Sequence, residues 1–124
     1  MSKKVLLAVP QLTGGGAERV VSVWANELNR RGYETSIILF HRSKDEYQTD
    51  SEIGIYSVAD SQKGYLELSY PQRYIRIRKM LKGILPNYII SFLPAMQVWM
   101  MLASRGLHIS SLCYLVYTVS QKMH

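Results

Sequence analysis

Residues 5–40 read VLLAVPQLTGGGAERVVSVWANELNRRGYETSIILF, and this stretch decides the fold. Its first five residues form a continuous aliphatic run, which is typical of a strand that is covered on both faces in a parallel sheet. After a glycine-rich turn, apolar residues recur at helical spacing as far as Gly32, which predicts a helix with a glycine C-cap. Thr35 begins a second apolar run. The order strand, helix, strand indicates a βαβ unit with a right-handed crossover.

The rest of the chain continues this alternation. Residues 59–70 fit no regular pattern. The further elements that we predict are, in order, an outer strand over 52–58, a helix over 71–85, a strand over 88–93, a helix over 94–105 and a strand-like run over 109–119. Alternating strands and helices predict an α/β fold, with a Rossmann-like parallel sheet flanked by helices.

The bulk composition describes one basic globular domain. The chain has 124 residues, of which 48% are hydrophobic and 19% charged, enough to bury one core. Its net charge of +6 indicates an anionic partner, such as nucleic acid, an acidic membrane surface or a phosphorylated substrate. Nucleic acid is the weakest of these, because no zinc, helix-turn-helix or RNP pattern accompanies the charge. Cys113 is the only cysteine, which favours a reducing cytoplasm and no disulfide framework.

A transmembrane span and a metal site are both disfavoured. Residues 84–104 contain no charge, but Pro86 and Pro94 divide them into one strand-sized and one helix-sized piece. The three histidines, His41, His108 and His124, are scattered, so we predict no metal site.

The turn before the first helix carries three consecutive glycines, Gly14, Gly15 and Gly16. Glycines let backbone amides crowd around an anion, and the helix N-terminus adds a partial positive charge, so a phosphate group fits there. A dinucleotide fingerprint needs a small residue where Arg19 stands and an acid after the second strand, where His41 stands. A Walker loop needs Gly-Lys-Ser/Thr after the glycines. Both alternatives are therefore disfavoured.

Three stretches resemble the start of family 4 glycosyltransferases of the GT-B type. They are VPQLTGGGAERVV over residues 9–21, LNRRGYET over 28–35 and PNYIISFL over 86–93, the last after a basic helix. The likeness runs from about Lys4 to Ile109. It implies the N-terminal, acceptor-side domain of an enzyme in surface polysaccharide biosynthesis. Such an enzyme transfers a sugar from a nucleotide-sugar to a lipid-linked or glycan acceptor and needs no cofactor.

The resemblance also implies substrate-binding residues. Gly14, Gly15 and Gly16 would lie beside the donor diphosphate and the transferred sugar. Glu18 and Arg19, in the first helical turn, are further candidates. Complementing the helix dipole explains Glu18 equally well, and a solvated helix face is the alternative for Arg19. The catalytic residue stays unknown.

Ser91 and Phe92 end a predicted strand. The carboxyl edge of an open α/β sheet is where ligands bind, so both are candidates for lining the cleft. Packing at the strand end is the alternative explanation.

The helix predicted over residues 71–85 carries five cations and no acid. Such a helix can lie on an anionic leaflet, as expected for an enzyme whose acceptor is a polyprenyl diphosphate-linked sugar. The alternative is a surface helix whose cations provide solubility. The membrane-surface candidates are Arg73, Arg76, Arg78, Lys79 and Lys82. We therefore expect a cytoplasmic protein that contacts the membrane peripherally.

The resemblance ends near residue 109. We expect residues 1–109 to form the glycosyltransferase N-terminal domain and residues 110–124 to be a divergent tail with a last strand. The donor domain of the family would then be missing, and the chain would be inactive alone. Two hypotheses fit: a truncated enzyme, or a binding module that pairs with a separately encoded donor domain.

Overall fold

The structure is a computed structural model that describes residues 3–10, 16–42, 49, 52–92, 94–107 and 110–114, and their side chains except those of 16–18 and 110–114. The strands are β1 (Lys4–Ala8), β2 (Glu34–His41), β3 (Gly54–Ala59), β4 (Tyr88–Phe92) and β5 (Ser110–Tyr114). The helices are α1 (Gly16–Arg30), α2 (Gln62–Leu66), α3 (Tyr70–Ile84) and α4 (Pro94–Ala103).

All five strands pair in parallel in one sheet, in the order β3-β2-β1-β4-β5. The chain moves outward from β1 to β3 on one side and then returns to place β4 and β5 on the other side. The strands β1 and β4 are therefore central neighbours at which the direction of winding reverses. The predicted α/β, Rossmann-like parallel sheet flanked by helices is confirmed.

The two faces of β1 belong to different cores because side chains alternate along a strand. Leu6 and Ala8 pack in a cluster with buried residues of α3 and α4, among them Leu81 and Met96. Leu7 and Val9 pack in a second cluster with Val21 and Ala25 of α1. The sheet is thus the middle of three layers, with α1 on one face and α3 and α4 on the other.

Helix α1 ends as predicted, at a glycine C-cap. Gly32 has a φ of +96°, which only glycine adopts without strain. The amide of Tyr33 donates to the carbonyl of Leu28 at 3.1 Å, and that of Gly32 to Asn29 at 3.1 Å. These two bonds form a Schellman motif. Within the last turn, hydrogen bonds from Arg30 and then Arg31 hold the pKa of Glu27 below its usual value.

The segment between β3 and α3 is more regular than the sequence predicts. Ser61 caps the short helix α2 by accepting from the amide of Gly64 at 3.0 Å. Helix α3 begins at Tyr70, one residue before the predicted start, because Ser69 and Gln72 form a capping box. Helix α2 has five residues, too few to show helical periodicity.

A column of aromatic rings and one guanidinium joins four elements. The rings of Phe40 and Tyr65 stack with centroids 4.7 Å apart. The guanidinium of Arg73 lies 4.2 Å from the Tyr65 centroid and 5.1 Å from that of Tyr70. Tyr70 in turn meets Trp99 edge-on at 6.0 Å. This aromatic–arginine column ties β2, α2, α3 and α4 together, and burial raises the pKa of the Tyr65 phenol.

The end of the described chain adds a strand. Strand β5 pairs with β4 so that Tyr114 lies beside Phe92. Residues 115–124 lie outside the described residues, and a domain boundary at residue 109 stays a prediction.

Candidate functional site

The carboxyl edge of the central strands is the candidate site that the sheet topology indicates. Strands β1 and β4 are neighbours, and the helices that follow them, α1 and α4, cover opposite faces of the sheet. In open α/β sheets, such a reversal point opens a crevice outside the carboxyl ends of the strands. The C-terminal end of α1 lies at the amino edge, where Leu28 and Tyr33 share a cavity with Val5 and Tyr88. The N-terminus of α1 therefore lies at the carboxyl edge.

The predicted glycine turn is only partly described. Gly14 and Gly15 lie outside the described residues, whereas Gly16 is the first residue of α1. Glu18 belongs to the first turn, and its side chain is not described. Arg19 is exposed in the same turn. The structure thus places Gly16 and Arg19 at the edge where a ligand would bind, and their contacts with a donor stay a prediction.

Ser91 provides an unusual polar group at this edge. It pairs in register with Ala8 at the end of β1 and is 0% exposed. Its Oγ has no hydrogen-bond partner among the described residues. A buried hydroxyl without a partner costs about 1–3 kcal/mol. Since nearly all buried polar groups are paired, a hydroxyl with no partner in the described part of the chain makes Ser91 a candidate ligand contact.

Phe92 faces the other way. Its ring is 0% exposed and meets Trp24 of α1 edge-on, with centroids 5.6 Å apart. The side chain therefore anchors α1 to the sheet, and its predicted contact with a substrate stays a prediction.

The structure divides the five cations of α3 into two groups. Arg76 donates to the carbonyl of Val58 at 2.8 Å, and Arg78 donates to those of Ala103 and Arg105 at 3.0 and 2.8 Å. Arg73 belongs to the aromatic–arginine column. These three arginines hold α3 against its neighbours. The other two, Lys79 and Lys82, are exposed.

A polar cavity that the sequence reasoning missed lies at the opposite, amino edge of the sheet. It measures about 460 Å³, and its lining includes Asn29, Tyr33, Glu34, Glu52 and Tyr56. These residues come from two stretches of the chain, 29–36 and 52–56, so no single local motif marks them.

Over the described ranges, no group of three or more His, Cys, Asp and Glu side chains comes together to hold a metal ion. None of the helices in that part of the chain is long and apolar enough to span a bilayer.

Comparison with known proteins identifies the fold. No protein-family profile and no curated protein sequence matches the chain. The structure is similar to UGT2 of Phytolacca americana, a UDP-glycosyltransferase solved with UDP-2-fluoro-glucose and pterostilbene. The TM-score is 0.59 at 12% sequence identity, and the match covers 92% of this chain and 30% of that one. The chain therefore spans about 30% of the length of this neighbour and has a Rossmann-like fold that matches part of a GT-B glycosyltransferase.

Proposed function

We propose that the chain is the N-terminal, acceptor-side half of a GT-B glycosyltransferase of the family 4 type. The enzyme transfers a sugar from a nucleotide-sugar to a lipid-linked or glycan acceptor in surface polysaccharide biosynthesis. The observation that carries this proposal is the unpaired, buried hydroxyl of Ser91 at the reversal point between β1 and β4. The fold shared with part of a UDP-glycosyltransferase supports it.

The groups at the carboxyl edge suit a diphosphate and a sugar. The first turn of α1, from Gly16, presents backbone amides that have no partner within the helix, together with the positive end of a helix dipole. Helix α4 begins at Pro94, which has no N–H, so its first available amide belongs to Ala95. Both helix ends stabilise negative charge, including the charge that develops on a leaving diphosphate. Arg19 adds a full positive charge beside them, and the Ser91 hydroxyl can bond a sugar or phosphate oxygen.

Transfer of the sugar requires a second, donor-binding unit in this proposal. A GT-B enzyme holds its two substrates between two Rossmann-like units, and the residues described here form one such unit. The donor unit is either part of the same polypeptide or a separate protein. The unit described here then binds the acceptor and does not transfer sugar without its partner.

Nuclear magnetic resonance titration tests the location of the site. The probe is farnesyl diphosphate-linked N-acetylglucosamine, added to the isotope-labelled chain. We expect shifts in the amide signals of Gly16, Arg19 and Ser91 and none at Tyr33 or Tyr56, which line the amino-edge cavity. NAD at the same concentration should shift no signal. Shifts confined to the amino edge, or a response to NAD alone, would reject the proposal.

The variant Ser91→Ala tests the hydroxyl itself. Removing an unpaired buried hydroxyl leaves the free energy of unfolding unchanged or raises it by about 1 kcal/mol. Losing the bond to the ligand weakens probe binding by about tenfold. Ser36→Ala is the control, since Ser36 is half-buried in β2 near the amino edge. If Ser91→Ala stabilises the protein without changing affinity, the hydroxyl is a packing defect and not part of a site.

A further inference from the structure

The exposed residues of α4 are all apolar, and its one polar residue, Gln97, is half-buried. These exposed residues are Pro94, Ala95, Val98, Met101 and Leu102. Val98 is 56% exposed, Met101 54% and Leu102 44%. Single exposed apolar residues are normal on a protein surface, whereas a contiguous set of them marks an interaction site.

This apolar surface continues onto α3 and forms a groove. On α3, Tyr70 is 70% exposed and Ile75 is 62% exposed. Together with Val98, Trp99 and Leu102 of α4, they line a groove of about 590 Å³ between the two helices. We call it the α3–α4 groove.

The groove is held in place by specific contacts. Tyr70 and Trp99 meet edge-on at 6.0 Å. Arg78 joins the two helices through its bonds to the carbonyls of Ala103 and Arg105. Behind the groove, Met96 and Met100 anchor α4 in the core with 0% exposure. The apolar lining is therefore a fixed feature of the surface rather than a loosely packed part of the core.

The positive charges beside the groove favour an anionic partner. Helix α3 contains five cations and no acid, and α4 contains no charged residue. Lys79 and Lys82 follow Ile75 by one and two helical turns, so they share its side of α3. A second copy of the chain would bring like charges together at this surface. An anionic surface with an apolar interior matches both the cations and the groove.

We propose that the α3–α4 groove docks on an anionic lipid bilayer. Ile75, Val98 and Leu102 enter the boundary between headgroups and acyl chains, while Lys79 and Lys82 contact lipid phosphates. Tyr70 and Trp99 have the amphipathic rings that favour this depth of a membrane. The docking uses the face covered by α3 and α4 and does not depend on glycosyl transfer at the carboxyl edge.

Vesicle flotation of the full chain tests the proposal. The probe is vesicles of equimolar phosphatidylglycerol and phosphatidylcholine, with pure phosphatidylcholine vesicles for comparison. We expect the protein to float with the anionic vesicles, to bind the neutral ones far more weakly and to be released by salt. Equal binding to both kinds of vesicle, or no binding to the anionic ones, would overturn the proposal.

A matched pair of valine variants tests whether vesicle binding depends on the groove or on any exposed apolar residue. Val98 on α4 and Val23 on α1 have nearly equal exposure, 56% and 57%, on opposite faces of the sheet. Val98→Gln should lower the partition coefficient by about tenfold, because it removes an inserted apolar side chain. Val23→Gln should leave it unchanged. Both positions are exposed, so both variants should keep the circular dichroism spectrum of the wild type.

The lysines provide a second, independent readout. Lys79→Gln and Lys82→Gln should each lower binding to anionic vesicles by about fivefold, since each removes one attraction to the leaflet. Lys63→Gln in α2 is the control and should have little effect. If the double lysine variant binds like the wild type, charge does not select the partner and the proposal fails.

Light scattering tests whether a second copy of the chain, rather than a bilayer, occupies the groove. If the wild type is a dimer that Val98→Gln converts to a monomer, without loss of vesicle binding, the groove is an interface between copies and the bilayer proposal is wrong. A wild type that is monomeric and floats only with anionic vesicles supports the bilayer.

Discussion

Helices α1 and α4 occupy equivalent places in the fold but differ on their outer sides. Each follows a central strand, each begins at the carboxyl edge, and each buries its inner side fully against the sheet. The outer side of α1 carries Arg19, Glu27 and Arg30 around one exposed apolar residue, Val23. The outer side of α4 has no charged residue, and all of its exposed residues are apolar. The same architecture thus presents a surface that water solvates on one face and a surface that requires a partner on the other.

The largest expected effect tests whether the two inner cores are equally well packed. Leu6 and Leu7 are adjacent in β1, both 0% exposed, and point into opposite clusters. Leu6→Ala and Leu7→Ala should each lower the free energy of unfolding by about 3 kcal/mol, measured by urea denaturation. A much smaller loss for Leu6→Ala would mean that the layer of α3 and α4 is loosely packed, and the comparison of outer surfaces would lose its basis.

A smaller effect tests how firmly α4 is held. Arg78→Gln removes the bonds to the carbonyls of Ala103 and Arg105 at the end of α4. We expect the free energy of unfolding to fall by about 1–2 kcal/mol, because these bonds are charge-assisted and partly buried. Lys79→Gln, one residue along the same helix and exposed, should leave stability unchanged. Equal effects of the two variants would show that the arginine contacts contribute nothing.

Two glycines should respond in opposite directions. A Cβ at Gly83 of α3 meets no atom within 4 Å, so Gly83→Ala should stabilise the protein by about 0.5–1 kcal/mol. Gly32, after α1, has a positive φ, and Gly32→Ala should destabilise it by about 1 kcal/mol. Thermal unfolding of both variants measures the difference. A loss of stability in Gly83→Ala would indicate that the end of α3 is not regular helix.

The smallest effect concerns pH on the α3 side. Burial is the main cause that raises the pKa of Tyr65, so the folded state favours its neutral phenol. The stability that this contributes is complete below the usual tyrosine pKa of about 10 and is lost as the pH rises above it. Wild-type protein should therefore lose stability more steeply than Tyr65→Phe in alkaline urea titrations. Parallel curves would show that the phenol ionises equally well in both states.

Local patterns predicted the elements of the fold but not all of their contacts. The aliphatic run of β1 and the glycine after α1 lie within short stretches of sequence, and their structures were predicted correctly. Helix α2 was missed because one capped turn leaves no periodicity. Strand β3, predicted over 52–58, is found at Gly54–Ala59, because its apolar alternation is weak and pairing with β2 sets its limits.

At the candidate site, too, the sequence predicted the position of a residue but not its contacts. The position of Ser91 at the carboxyl edge follows from its place at the end of a predicted strand. Its unpaired hydroxyl does not, because the lack of a partner depends on which groups from other elements come close to the Ser91 Oγ. Likewise, the bond from Arg78 to Ala103 joins residues far apart in sequence, so the sequence predicted only a basic helix.

The aromatic–arginine column ends at Trp99, and this gives the protein a built-in optical probe. The chain has two tryptophans, and Trp24 lies on the other face of the sheet against Phe92. A Trp24→Phe variant would leave a single tryptophan, Trp99, in the α3–α4 groove. Its emission should move to shorter wavelength when lipid replaces water around the ring, while Trp24 in a Trp99→Phe variant should not respond. Fluorescence can thus follow each face of the sheet separately, without an attached dye.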